Sequence, residues 1–171
     1  SSPRPRQSNA PRAGNSRASL DLTSRLRNTL FRRMPVRSSA RKKMTPAEQR
    51  DLDVRIEFIE GLVRRDPGYV DALQLLGDHY TQRGRFVEGL RVDERLSRLE
   101  PTSPLVFYNL ACSYSLTEQF DRAAEALEKA LSLGYRDFNW LAKDPDLRKL
   151  RKHPLYQRIE DKVRQMKNTV R

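Results

Sequence analysis

An internal repetition constrains this chain more than any other feature, because residues 70–135 match themselves at an offset of 34 positions. Large apolar or aromatic residues and small residues recur at the same places. The matching pairs are Leu73 and Phe107, Leu76 and Leu110, Gly77 and Ala111, Tyr80 and Tyr114, Phe86 and Phe120, Gly89 and Ala123, Leu96 and Ala130, and Leu99 and Leu133. Small residues let two helices approach closely, and large residues fill the space around them. The pattern therefore predicts pairs of packed helices that stack one after another.

These positions resemble the signature of the tetratricopeptide repeat (TPR) family. The signature residues are Leu73, Leu76, Gly77, Tyr80, Phe86, Gly89, Leu96 and Pro101 in the first unit, and Phe107, Leu110, Ala111, Tyr114, Phe120, Ala123 and Ala130 in the second. The resemblance implies an all-α fold, a short TPR-type α-solenoid, and a function in binding other proteins. Two features depart from the family pattern. Gly89 stands where alanine is usual, which weakens its helix by up to about 1 kcal/mol, and the second unit lacks a closing proline after Gly134.

Sequence on either side of the repeat predicts further helices. Residues 45–48, TPAE, form a helix start with a capping box, and the apolar stripe that follows ends near Arg65. Since Pro67 precedes Pro101 by the same offset as the repeat, this helix is in register with the second helix of a preceding unit. We expect two full repeats, this leading half repeat and a C-terminal helical cap. The predicted boundaries are a basic extension over residues 1–44, a repeat module over residues 45–136, and a helical cap with a basic tail over residues 137–171.

Charge is distributed unevenly along the chain. Residues 1–44 contain twelve Lys and Arg and one acid, for a net charge of +11. Residues 45–147 contain thirteen basic and nineteen acidic residues, for a net charge of −6, and residues 148–171 contain nine and two, for a net charge of +7. Such asymmetry indicates an anionic partner, either nucleic acid or an anionic surface.

The basic extension contains two kinds of sequence. Residues 1–18 have no large apolar side chain and should be disordered unless bound, whereas residues 19–34 predict a short basic amphipathic helix. We expect the extension to contact RNA phosphates in a ribosome-like ribonucleoprotein. The residues expected to make these contacts are Arg4, Arg6, Arg12, Arg17, Arg25, Arg27, Arg32, Arg33, Arg37, Arg41, Lys42 and Lys43.

Three alternatives for the extension stay open. It could be a solvated, disordered tail, or an organellar (mitochondrial) targeting peptide, because it is rich in Arg and Ser and poor in acids. Its amphipathic stretch could also dock on a membrane, as in an accessory subunit or assembly factor of a membrane protein complex. The single cysteine, Cys112, excludes an intrachain disulfide and fits a reducing compartment such as the cytoplasm.

No pattern in the sequence indicates catalysis. The histidines, His79 and His153, are far apart and lack metal-binding partners at fixed spacing, and Cys112 has no basic neighbour in sequence. There is no Gly-rich phosphate loop or nucleophile elbow. The closely spaced acids Asp144 and Asp146 are interpreted as helix caps. We therefore expect a non-catalytic adaptor or scaffold without a cofactor, metal or small-molecule substrate.

The family resemblance also implies where a protein partner would bind, in a concave groove lined by the first helix of each unit. The residues implied to line it are Gln74, Asp78, Thr81, Tyr108, Asn109, Cys112 and Leu116. Some family members clamp the C-terminal carboxylate of a chaperone with Lys and Asn at set positions. Asn109 matches one such position, but Gln74 and Asp78 occupy the others, and Asp78 would repel a carboxylate. We expect a neutral or basic segment as ligand, or packing against a neighbouring subunit.

Overall fold

A computed structural model describes residues 44–169, and the predictions for residues 1–43 lie outside this part of the chain. The described residues contain no strand, so the prediction of an all-helical fold is confirmed. The helices are α1 (Pro46–Arg65), α2 (Val70–Arg83), α3 (Phe86–Leu99), α4 (Pro104–Leu116), α5 (Phe120–Ser132), α6 (Phe138–Lys143), a 3-10 helix (Pro145–Leu147), α7 (Arg148–Arg151) and α8 (Tyr156–Thr169).

The first helix begins at the capping box that the sequence predicts. The Thr45 N–H donates to Glu48 Oε2 at 2.7 Å, and the Glu48 N–H donates to Thr45 Oγ1 at 3.2 Å. At the other end of α1, the Asp66 N–H donates to the carbonyl four residues earlier at 2.9 Å, as the Glu100 N–H does after α3 at 2.8 Å. These matching ends, separated by the offset of the sequence repeat, place α1 in register with α3.

The helices repeat with the offset seen in the sequence. The starts of α2 and α4, Val70 and Pro104, are separated by this offset, and so are the starts of α3 and α5, Phe86 and Phe120. Short loops join α2 to α3 and α4 to α5, so each pair is a hairpin. The C-terminal segment also enters this register, because Phe138, the start of α6, follows Pro104 by the same interval. This arrangement is consistent with an α-solenoid.

Hydrogen bonds between side chains repeat as well. The Tyr80 hydroxyl of α2 donates to Glu60 Oε1 of α1 at 2.6 Å, and the Tyr114 hydroxyl of α4 donates to Glu94 Oε1 of α3 at 2.9 Å. Burial and the bond to Glu60 raise the pKa of Tyr80 to about 12, so the hydroxyl stays protonated as a donor. Each tyrosine therefore joins the first helix of a pair to the helix before it.

The two hairpin loops share a residue with positive φ. Gly84 has φ 84°, and Glu118, at the equivalent position of the second loop, has φ 62°. In both loops the next N–H, from Arg85 or Gln119, donates to a carbonyl five residues earlier, at 2.8 Å and 2.9 Å. Glycine adopts this conformation freely, whereas the β-carbon of Glu118 disfavours it.

Two apolar clusters form the core of the described residues. The first joins α1, α2 and α3 through side chains such as Ile56, Leu73 and Leu96. The second joins α4 and α5 to the C-terminal helices, with Leu147 and Ile159 fully buried. Helices α6 to α8 are therefore part of the core rather than an appendage.

Candidate binding face on the first helices

The residues predicted to line a groove lie on α2 and α4, the first helices of the two hairpins, and they differ in exposure. Gln74, Asn109 and Leu116 are half-buried, whereas Asp78, Thr81, Tyr108 and Cys112 are buried. The accessible part of the predicted face therefore centres on the three half-buried residues, with Leu75, which is 45% exposed, beside them on α2.

Residues 135–147 cover part of α4. The Tyr108 hydroxyl donates to Asp144 Oδ2 at 2.7 Å, and the Tyr108 ring stacks on Tyr135 with ring centroids 4.2 Å apart. The Cys112 Sγ lies 3.7 Å from the same Asp144 oxygen. The two side chains that the sequence places in an open groove, Tyr108 and Cys112, are therefore enclosed by the chain itself.

Asp144 has no exposed surface and holds this cover in place. It caps the 3-10 helix as the sequence predicts, since its Oδ1 accepts the Asp146 N–H at 2.9 Å. Burial raises the pKa of Asp144 above its usual value, although the bonds from Tyr108 and Asp146 act in the opposite direction. Burial also raises the pKa of Tyr108, and Cys112 and Asp144 add to this effect. Tyr108 therefore remains a hydroxyl donor to Asp144.

On α2, two of the predicted groove residues belong to the interior. A β-carbon at Gly89 of α3 would lie 3.3 Å from Thr81 Oγ1 and 3.6 Å from the Gly77 carbonyl oxygen. An alanine at position 89 would require the Thr81 hydroxyl to shift by a few tenths of an ångström, whereas glycine fits without a shift. Asp78 is also buried, so the carboxylate expected to repel an acidic ligand does not lie on the open face.

The two histidines, His79 and His153, pack within the helical fold. Burial lowers the pKa of His79 on α2, and the charge of Arg55 lowers it further. His153 lies in the turn that precedes α8, where its Nδ1 accepts the Leu155 N–H at 3.4 Å and its ring stacks on Phe120. In the described part of the chain, no three His, Cys, Asp or Glu side chains converge into a metal-binding group.

Basic side chains near the C-terminus are partly paired with acids of the same chain. Lys149 forms an ion pair with Glu118, and Arg158 forms one with Glu128 at 3.0 Å. The twelve basic residues expected to contact RNA, from Arg4 to Lys43, lie outside the described residues. Among the helices described here, none combines the length and the apolar character that crossing a bilayer requires.

No family model matches this chain. The chain is 38% identical over 79 residues to a protein of Arabidopsis thaliana that is named as chloroplastic, a match that covers 44% of this chain and 24% of that protein. It is 35% identical over 91 residues to a peroxisomal targeting signal receptor of Komagataella phaffii, covering 52% of this chain and 16% of the receptor. A receptor of the same name from Candida albicans is 36% identical over 77 residues, covering 44% and 13%.

The chain thus spans a quarter or less of the length of these relatives. Together with the helix pairs and their regular offset, the matches are consistent with a tetratricopeptide repeat and indicate a protein-interaction module.

Proposed function

We propose that this chain is a TPR-type adaptor that binds a short protein segment on the accessible face of α2 and α4. One observation carries the proposal: Leu75 and Asn109 occupy equivalent positions of the two first helices, and neither is buried. Gln74 and Leu116 extend this surface. Amide groups can bond to the backbone of a peptide while leucine packs against its side chains.

The chemistry of the face favours a neutral or basic segment. Asp71, an exposed residue in the first turn of α2, lies one turn before Leu75 on the same side of the helix and adds negative charge. The relatives named as targeting signal receptors support recognition of a peptide signal. We propose a non-catalytic role, as the sequence leads us to expect.

Selection of ligands from a random peptide library displayed on phage, followed by titration of the enriched peptides, tests this proposal. The enriched peptides should be neutral or basic. Leu75→Ser combined with Asn109→Ala should weaken their binding about tenfold or more, equivalent to ~1.4 kcal/mol. Val87→Ser is a matched control, because Val87 is 55% exposed on α3, outside this face. Equal loss in the control, or enrichment of acidic peptides, would contradict the proposal.

The charge of the N-terminal extension supports a second proposal, that residues 1–44 contact an anionic surface. Their net charge of +11 favours RNA first, within a ribosome-like assembly. RNA binding by the full chain should weaken as salt increases and should disappear when residues 1–43 are deleted. Flotation with neutral vesicles tests the alternative, docking on a membrane protein complex, because insertion of the amphipathic stretch does not require anionic lipid, whereas charge attraction alone does.

For cellular location, the cytoplasm and an organelle are both proposals. A relative named as chloroplastic supports the organellar alternative. A fluorescent protein fused behind the full chain should accumulate in an organelle if this alternative holds, and deletion of residues 1–43 should return it to the cytoplasm. The same distribution of both fusions would show that residues 1–43 do not direct the chain to an organelle.

A further inference from the structure

The outer face of α1 carries an exposed apolar stripe that no helix of residues 44–169 covers. Val54 and Phe58, one turn apart, are 65% and 68% exposed, more than the other exposed large apolar side chains of residues 44–169. The residues in register with Phe58 are Val92 of α3 and Ala126 of α5, and both are buried. Val92 lies in the core with residues of α2, and Ala126 lies in the core with residues of α4. In each case the partner is the first helix of the same hairpin. In the described part of the chain, α1 has no such first helix.

This face of α1 is self-complementary when two copies lie antiparallel about Phe58. Such an arrangement places Val54 of one copy opposite Leu62 of the other, since each is four residues from Phe58, and the half-buried Leu62 also packs against the core of its own copy. It also places Asp51 opposite Arg65, since each is seven residues away, and seven residues make nearly two helical turns. Both charged residues are exposed. An interface with two-fold symmetry therefore gains two apolar contacts and two opposite-charge contacts around one pair of rings.

We propose that the outer face of α1 is a homodimer interface in which two copies pair their α1 helices antiparallel about Phe58. Parallel pairing would bring Asp51 against Asp51 and Arg65 against Arg65, so the charges select the antiparallel arrangement. One helix face from each copy buries less than the roughly 1,200 Å² of a standard stable interface, so the dimer is weak and its dissociation constant is in the micromolar range.

Analytical ultracentrifugation of the full chain at increasing concentration tests for the dimer. The full chain should shift from monomer to dimer across the micromolar range. Phe58→Ser should raise the dissociation constant about tenfold or more. Val87→Ser, which removes a similarly exposed apolar side chain from α3, should leave it unchanged. A full chain that stays monomeric at every concentration overturns the proposal, whether the face is then open or covered by another part of the chain.

A charge exchange tests the antiparallel register. Asp51→Arg and Arg65→Asp each place like charges opposite one another, so each should weaken the dimer several-fold at low salt. The double variant restores opposite charges and should recover the affinity of the unaltered chain. Equal affinity in all three variants, or a double variant weaker than both single variants, overturns the pairing.

Cysteine crosslinking tests the position of the two-fold axis. Phe58→Cys places two thiols at the centre of the dimer, within reach of a disulfide. A covalent dimer should form faster than in Val87→Cys under the same oxidising conditions. The native Cys112 is buried, so it does not compete for this reaction. Because Phe58→Cys also removes the ring at the centre of the interface, the rates are compared at a concentration at which ultracentrifugation shows this variant to be dimeric. Equal crosslinking rates there overturn the assignment of Phe58 to the axis.

Discussion

The two ends of the described helical stack meet the solvent in different ways. At the C-terminal end, α6 to α8 cover α4 and α5, and Leu147 and Ile159 have no exposed surface. At the N-terminal end, α1 covers α2 with one face and exposes Val54 and Phe58 on the other. Within residues 44–169, the last hairpin is therefore covered by further helices, whereas the outer face of α1 is not. This difference indicates that the C-terminal segment stabilises the fold, while the open helix faces are where binding is expected.

The largest expected difference between the two ends is in their contribution to stability. Leu147→Ala removes a fully buried side chain and should lower the free energy of unfolding by about 2–5 kcal/mol. Phe58→Ala removes a larger but exposed side chain and should change it by about 0.5 kcal/mol or less. Urea unfolding at low protein concentration measures both, and similar losses would remove the distinction between the ends.

Tyr108→Phe tests how firmly residues 135–147 are held on α4. This variant takes a donor from the buried carboxylate of Asp144, so it should cost about 1–3 kcal/mol of unfolding free energy. Tyr114→Phe is the matched control, because its hydroxyl bonds to Glu94 in a partly exposed position and should cost about 1 kcal/mol or less. Hydrogen exchange should accelerate in residues 135–147 only in the first variant. Faster exchange there in both variants would argue against this specific contact.

The two hairpin loops allow a smaller comparison within the same register. Gly84→Ala places a β-carbon on a residue with positive φ and should lower the free energy of unfolding by about 1 kcal/mol. Glu118→Gly relieves the same strain in the second loop and should raise the thermal midpoint. Lys149→Ala removes the ion pair of Glu118 and leaves the positive φ of Glu118 unchanged. It therefore separates the contribution of the ion pair from that of the backbone strain. A lower midpoint in Glu118→Gly than in Lys149→Ala would show that backbone strain contributes less than the side chain of Glu118.

The smallest expected effect is a pH dependence at the C-terminal end, because hydrogen bonds partly cancel the effect of burial on Asp144. A carboxyl whose folded-state pKa is raised binds a proton more readily in the folded than in the unfolded protein. Its contribution to stability therefore increases as pH falls from neutral toward the usual carboxyl value of 3.8. Asp144→Asn removes this contribution, so the stability of the unaltered chain relative to this variant should rise as pH falls. A relative stability that falls instead would contradict the raised pKa.

Local signals in the sequence were sufficient for the helix pairs and their ends. The start of α1 is predictable because the capping box at Thr45 involves residues three apart in sequence. The close packing at Gly77 and Ala111 is predictable because the two small residues recur at the repeat offset. Glu60 and Glu94 also recur at the repeat offset, so the tyrosine bonds between successive helices had a sequence signal that the apolar pattern alone did not use.

The enclosure of Tyr108 and Cys112 could not be predicted in the same way. It depends on Asp144, which lies 36 residues after Tyr108 and reads from sequence only as a helix cap. Helix α6 begins one repeat offset after α4, but Pro145 prevents it from continuing to the length of α4. The helix ends at Lys143, and the chain then turns so that Asp144 faces α4. Such a contact depends on the path of the chain after the repeat, for which the repeat pattern contains no information.

The tyrosine bonds between successive helices also have a mechanical consequence. Tyr80 bonds α2 to α1, and Tyr114 bonds α4 to α3. Each hairpin of the repeat is therefore joined to the helix before it by its own tyrosine hydrogen bond. Among the described helices, a force applied from the N-terminal side acts first on α1, whose contacts with the other described helices lie on one face. Stretching of single molecules is therefore expected to release α1 at low force and the C-terminal helices last, and Tyr80→Phe is expected to lower the first rupture force without changing the last one.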